Sequence, residues 1–310
     1  MKKPPALKPG DTIGVIAPAS PMPEQERERA LQMFRQFGYR MKVGPSVYED
    51  KGYLSGTDEV RARDVNDMFA DPEVRAIICM RGGYGSPRIL DRIDFALIRH
   101  HPKIFVGYSD ITALHLAIQK QAGLVTFHGP MVGELARVTE EEEYAWSMLF
   151  RHLTDPTPLG FYPDAEEMFR YPLTPGTATG TLIGGNLCLL VFSLGTPYEL
   201  DTTGKILFVE EIGEEPYRID RMLTQLRLAG KLERAEGIVF TDFHDCEPAN
   251  PDRSLTLREV LEGVIQPLGI PAYFGFKAGH TKPNLTLPQG IRVRMNANQG
   301  TLELLEGSVV

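Results

Sequence analysis

The alternation of short apolar runs with amphipathic stretches through the first 130 residues constrains this chain more than any other feature. Residues 12–17 (TIGVIA) form an apolar run closed by Pro18, the pattern of a buried strand. Residues 23–37 place Ala30, Leu31, Phe34 and Phe37 at helical spacing before Gly38, a natural stop. Residues 55–70 repeat the helical pattern with Val60, Val65, Met68 and Phe69, and residues 74–80 and 103–107 are again strand-like. A helix over residues 111–121 and a strand over 124–127 complete the series. Strands separated by helices cannot be joined as hairpins, so they pair in parallel with helices on both faces. The expected class is α/β.

Between residues 154 and 176 the periodicity lapses, and Pro156, Pro158, Pro163, Pro172 and Pro175 crowd the stretch. Proline fits neither a helix interior nor a central strand, so this segment is expected to be a linker. A chain of 310 residues is long for a single core, and two domains are expected. Their expected bounds are 1–153 and 177–310, the second a smaller, mixed α/β domain. It ends in two strands, 291–295 and 301–305, around the turn Asn298-Gln299-Gly300.

A formal net charge of −8 argues against a nucleic-acid or anionic-membrane surface. No apolar run approaches the roughly 20 residues of a membrane span, and none follows Lys2 and Lys3 as a signal peptide would require. A cytoplasmic protein is expected. Cys79, Cys188 and Cys246 are odd in number and widely spaced, with no CxxC pair, so neither zinc nor dithiol chemistry is expected.

Chemistry concentrates in four places. In Gly107-Tyr108-Ser109-Asp110 an apolar strand runs through a glycine into a serine and a helix start. That arrangement lifts a hydroxyl to the carboxyl edge of a parallel sheet, beside a helix N-terminus that favours developing negative charge. The pattern is G-x-S-D, not the G-x-S-x-G of α/β-hydrolases, and Ser109 or Asp110 as a helix cap is the competing reading. After the preceding strand comes Arg81-Gly82-Gly83-Tyr84-Gly85, whose glycines let backbone N–H groups converge on an oxyanion. At that same sheet edge, the N–H groups of Gly83 and Asp110 are the natural oxyanion donors. An apolar strand ending in Glu210 and Glu211 offers a carboxylate to orient a base. Among seven histidines, His100, His101 and His152 read as surface positions and His115 as helical. His244 suggests a metal ligand but has no second histidine at a supporting spacing, while His128 at a strand end and the loop residue His280 remain open as bases.

Taken in order, these segments resemble the LD-carboxypeptidase family, serine peptidases that include the muramoyl-tetrapeptide carboxypeptidases and the microcin C self-immunity proteins. The resemblance runs from Gly10-Asp-Thr-Ile-Gly-Val-Ile-Ala-Pro-Ala-Ser20 through the Arg81 turn, Gly107-Tyr-Ser-Asp110 and Phe127-His-Gly-Pro130. It continues in Gly184-Gly-Asn-Leu187, Val209-Glu-Glu211, Pro216-Tyr-Arg-Ile-Asp-Arg221, Gly279-His280 and Leu287-Pro288. It implies a flavodoxin- or amidotransferase-like first domain, a smaller second domain, an active site between them and a homodimer. It also implies a Ser-Glu-His triad, which falls on Ser109, Glu210 and His280, and an oxyanion hole at Gly83 and Asp110. Glu211 stands where the family usually has aspartate, which leaves the acid one residue ambiguous.

The implied reaction removes a terminal D-alanine from the L-centre of a diamino acid in murein tetrapeptides, with no metal or organic cofactor. Arg81 or Arg218 is a candidate for pairing with the D-alanine carboxylate, since a guanidinium binds a carboxylate bidentately. Two alternatives stay open: a microcin-immunity-type amidase acting on peptidyl-nucleotide conjugates, and a non-catalytic module holding an anionic ligand on the glycine-rich turn.

Overall fold

The computed structural model describes residues 1–162 and 170–310. Its strands are β1 (Thr12–Ile16), β2 (Arg40–Val43), β3 (Val74–Cys79), β4 (Ile104–Gly107), β5 (Thr126–His128), β6 (Gly160–Phe161) and β7 (Tyr171–Thr174). They continue as β8 (Thr177–Asn186), β9 (Lys205–Ile212), β10 (Gly237–His244), β11 (Ala272–Phe274), β12 (Leu287–Gln289), β13 (Arg292–Asn296) and β14 (Thr301–Leu304). The α-helices are α1 (Glu24–Phe34), α2 (Asp58–Ala70), α3 (Phe95–His100), α4 (Thr112–Ala122), α5 (Glu140–Thr154), α6 (Leu187–Phe192), α7 (Pro216–Leu228) and α8 (Leu257–Ile265). The chain divides into two compact units, one of residues 1–156, 283–288 and 308–310, the other of 157–282 and 289–307.

The first unit is built on a sheet of order β12-β5-β4-β3-β1-β2, in which β2-β1-β3-β4-β5 pair in parallel. β1 and β4 are buried along their whole length, as a parallel sheet covered on both faces demands. The chain winds outward in both directions from β1 and β3, so these two strands form the switch point at which their carboxyl ends diverge into separate loops. The loop after β1 carries Pro18 to Ser20, the loop after β3 carries Gly82 to Gly85, and β4, next to β3, delivers Ser109. α5 starts with a capping box between Thr139 and Glu142. Its buried face includes Trp146, Met148, Leu149, His152 and Leu153. His152, read from sequence as a surface position, is therefore buried, because it falls on the apolar stripe one turn beyond Met148 and Leu149.

The second unit holds a mixed sheet of order β6-β14-β13-β8-β9-β10-β11-β7. Its centre, β8-β9-β10-β11, is parallel, and β13-β14 is the antiparallel closing pair expected around residues 298–300. The proline-rich stretch contributes β6 and β7, both antiparallel to their neighbours at the two sheet edges, where strand prolines such as Pro172 are tolerated. Residues 163–169 of the expected linker lie outside the described residues.

Candidate active site

Ser109 follows β4 with φ of 62°, one of two non-glycine residues at positive φ among the described residues. A left-handed serine costs on the order of 1–3 kcal/mol and persists where surrounding structure enforces it. Here Gly107 supplies the space: a Cβ on it would lie 2.8 Å from Ile111 Cγ2. The next residues form a 3-10 turn (Ser109–Ile111) that leads into α4, and neither helical start carries a side-chain cap. Ser109 is thus not spent on capping, the competing reading of its position.

The glycine-rich loop is packed directly on this turn. A Cβ on Gly82 would sit 2.9 Å from Ser109 Cβ and 3.1 Å from its Oγ, so only glycine allows the approach. Gly83 and Gly85 adopt φ of 111° and 129°, conformations that side chains rarely permit. Three tethers hold the loop. The Tyr84 N–H donates to Ser20 Oγ at 3.0 Å, and Arg61 Nη1 donates to the Gly85 carbonyl at 2.8 Å and to Pro18 at 2.6 Å. The Ser86 N–H donates to the Asp110 carboxylate at 2.7 Å, and the Ser86 hydroxyl donates to the Asp110 carbonyl. Arg61 is fully buried and paired with Asp58, and burial lowers its pKa. Burial likewise raises the Asp110 carboxyl, against the Ser86 hydrogen bonds that favour its ionised form. Asp110 therefore binds two loops together through its side chain, a role its position in the sequence does not reveal. Arg61 escaped sequence reading altogether: a charged residue inside a helix ordinarily faces solvent.

In the second unit, β9 ends in the two candidate acids, and successive residues of a strand face opposite ways. Glu210 is completely buried, and its Oε2 lies 2.7 Å from His280 Nδ1. Glu211 faces elsewhere. Its Oε1 accepts from Asn186 Nδ2 at 2.7 Å and from the Ile212 N–H at 2.9 Å, and its Oε2 accepts from the Cys188 N–H at 2.9 Å. Asn186 Oδ1 in turn accepts from the Leu189 N–H, so Asn186 and Glu211 jointly satisfy the start of α6. Burial pushes the Glu211 carboxyl up to about 7 despite those donors. Gly279, at φ of 98°, makes room for the dyad, since a Cβ there would meet Glu210 Oε2 at 2.7 Å. The glycine before His280 lets the loop bring the imidazole onto the carboxylate.

The remaining candidates are placed differently. His115 is buried in α4 with Nε2 at 2.8 Å from the Gly107 carbonyl, and burial lowers it to about 4. His128 is buried at the end of β5, its ring 5.8 Å from that of Tyr108. His244 is half-exposed and flanked by Asp242 and Asp245 at 3.9 and 3.6 Å. Arg81 is exposed with Nη1 on the Pro21 carbonyl at 3.1 Å. Arg218 is exposed beside Glu214 at 3.5 Å and the Tyr217 hydroxyl at 3.0 Å.

The LD-carboxypeptidase N-terminal domain model matches residues 13–129, and the C-terminal domain model matches residues 179–295. A probable murein peptide carboxypeptidase of Bacillus subtilis is 47% identical over 311 residues, covering 98% of this chain and 95% of that protein. The crystal structure of a muramoyltetrapeptide carboxypeptidase from Oxalobacter formigenes superposes with a TM-score of 0.82 at 32% identity, over 94% of this chain and 97% of that one. The structure of MccF in complex with glutamyl sulfamoyl guanosine has a TM-score of 0.92 at 24% identity over 99% of both chains, a likeness of fold. With both family domains matched in order and a relative of nearly equal length at such identity, the chain belongs to the LD-carboxypeptidase family.

Proposed function

We propose that this chain hydrolyses the amide between an L-centre diamino acid and a terminal D-alanine in murein tetrapeptides, with Ser109 as nucleophile, His280 as base and Glu210 as orienting acid. The observation that carries the reading is the 2.7 Å contact between His280 Nδ1 and the fully buried Glu210 carboxylate. A carboxyl oxygen accepting from Nδ1 holds the proton on that nitrogen and leaves Nε2 as the basic one, the tautomer a serine nucleophile requires. The left-handed turn at Ser109 supports the nucleophile assignment.

In the proposed mechanism His280 Nε2 takes the Ser109 proton as Oγ attacks the scissile carbonyl. The oxyanion is held by the N–H groups of Gly83 and Asp110. His280 then protonates the leaving D-alanine nitrogen, and a water molecule deprotonated by the same imidazole releases the acyl group from Ser109. A guanidinium, at Arg81 or Arg218, pairs with the D-alanine carboxylate. The triad needs no cofactor. The family resemblance further supports a cytoplasmic homodimer that serves cell-wall recycling.

The test is release of D-alanine from a muramoyl tetrapeptide, followed beside labelling with a serine-reactive phosphonate. Wild type is expected to turn over and to be labelled at Ser109, while Ser109→Ala does neither. A folded protein that resists labelling at Ser109 refutes the serine mechanism. Turnover of an aminoacyl sulfamoyl-adenosine with none of the tetrapeptide moves the substrate to the nucleotide conjugates.

A further inference from the structure

The segment Ala17-Pro18-Ala19-Ser20 leaves β1 at the switch point and takes no part in the mechanism above, yet two of its residues are tied to the glycine-rich loop, Pro18 through Arg61 and Ser20 directly. Pro18 shares the buried Arg61 Nη1 with Gly85, and the Ala19 carbonyl accepts from the Ser55 N–H at 2.9 Å. Ser20 does more. Its N–H donates to the Gly82 carbonyl at 3.3 Å, its hydroxyl accepts from the Tyr84 N–H at 3.0 Å, and that hydroxyl donates to the Tyr53 carbonyl at 2.8 Å. The two contacts to the loop bracket Gly83 on either side. A Cβ on Gly83 would stand 2.4 Å from Ser20 Oγ, so the loop is pressed against this serine.

We infer that Ser20 is a positioning residue that aims the Gly82–Gly83 peptide for the oxyanion, an inference that rests on the serine mechanism proposed above. In a trans peptide the C=O and the following N–H point in opposite directions. Anchoring the Gly82 carbonyl on the Ser20 N–H therefore turns the Gly83 N–H away from the Ser20 backbone, while Gly82 itself abuts Ser109. A peptide between two flexible glycines has little conformational preference of its own. Its direction is set from outside, by the Ser20 N–H before Gly83 and the Ser20 hydroxyl after it. The Tyr53 carbonyl, at 2.8 Å, is the nearer acceptor for the hydroxyl proton, with the Tyr84 carbonyl at 3.5 Å, and a proton on Tyr53 leaves the lone pairs of Ser20 Oγ to the Tyr84 N–H.

The experiment compares wild type, Ser20→Ala, Ser20→Cys and Ser109→Ala. It measures kcat, KM and the pH profile for D-alanine release, and the affinity for a peptide boronic acid whose boron replaces the scissile carbonyl carbon. Loss of one oxyanion donor costs about 10²–10³ in kcat, and a donor left present but poorly aimed is expected to cost about tenfold to hundredfold. Ser20→Ala should lower kcat and boronate affinity by that factor, with KM within about threefold and the pH profile unmoved. Ser20→Cys keeps a side chain there but offers a larger, weakly accepting sulfur and should fall similarly. Either variant with kcat and boronate affinity at the wild-type level overturns the inference, as does a rise in KM alone. Ser109→Ala separates the two claims. Retained turnover there overturns the serine mechanism and the inference with it, whereas inactivity there beside an unimpaired Ser20→Ala overturns the inference alone.

Discussion

Replacing Gly82 by alanine tests the packing of the glycine-rich loop on the nucleophile turn. Gly82 is not among the glycines at positive φ, so the substitution carries no left-handed backbone penalty and its effect is steric. The new methyl would lie 2.9 Å from Ser109 Cβ, 3.1 Å from Ser109 Oγ and 3.3 Å from the Tyr108 carbonyl. Carbon atoms in contact sit about 3.5–4.0 Å apart, so the two segments must separate by roughly 0.6–1.1 Å. Neither side yields easily: the loop is tethered by Ser20, Arg61 and Asp110, and Ser109 is already left-handed. A displacement of about 1 Å at reacting groups costs on the order of 10²-fold, close to 3 kcal/mol of transition-state stabilisation. Overpacking a buried site costs about 1–3 kcal/mol of fold stability as well, so kcat/KM is measured well below the melting temperature. The expected result is a kcat/KM reduced about a hundredfold in a protein whose melting temperature falls by a few degrees. Wild-type kcat/KM in Gly82→Ala would refute the packing of this loop against Ser109.

The two strand-end glutamates should separate cleanly. Glu210→Gln removes the charged partner of His280 and is expected to lower kcat by about 10⁴, as loss of the acid does in other triads. Glu211→Gln leaves one of three N–H groups facing an amide NH2, so it should cost about 1–3 kcal/mol in a urea titration and far less in kcat. The reverse ranking in D-alanine release would transfer the acid role to Glu211. The acid side of the stability profile should be steered by buried histidines. Burial lowers His115 to about 4 and His152 to about 3, while in the unfolded chain both titrate near 6.5. The unfolded state then binds more protons between those values, so this stability is complete above pH 6.5 and is lost as pH falls through about 4. For His115 the difference of 6.5 and about 4 amounts to roughly 3 kcal/mol at most. Glu211, raised to about 7, acts with the opposite sign as pH climbs from about 4.5, but equally in wild type and in a His115 variant. The fall in urea midpoint from pH 7.5 to pH 4.5, taken with its sign, should therefore be smaller for His115→Gln than for wild type, and equal falls would remove His115 from the account.

Much of this protein could be read along the chain. The parallel sheet of the first unit follows from apolar runs alternating with helical stretches, because chain direction and burial on two faces are encoded by local periodicity. The hairpin of β13 and β14 is equally local, as is the placement of Ser109 at the end of β4. The proline-rich stretch was harder: β6 and β7 are edge strands, whose pairing depends on partners distant in sequence. His152 failed for a related reason, since a titratable residue near a helix end gives no sign of which face is buried.

The resemblance to LD-carboxypeptidases put the acid at Glu210, but on residue chemistry alone Glu210 and Glu211 are indistinguishable. Tertiary structure gives them different partners, because the pleat of β9 sends one carboxylate to His280 and the other to the start of α6. The same holds for the loop that faces Ser109. Three glycines in a row of five announce a flexible turn, whereas its direction comes from Ser20, Arg61 and Asp110, residues of three other segments brought together by strand order. Local periodicity and turn residues account for most of the strands and turns and for the chemistry they carry. Which groups meet follows from the assembled fold, because segments distant in the chain become neighbours through strand order, and no local pattern specifies that order.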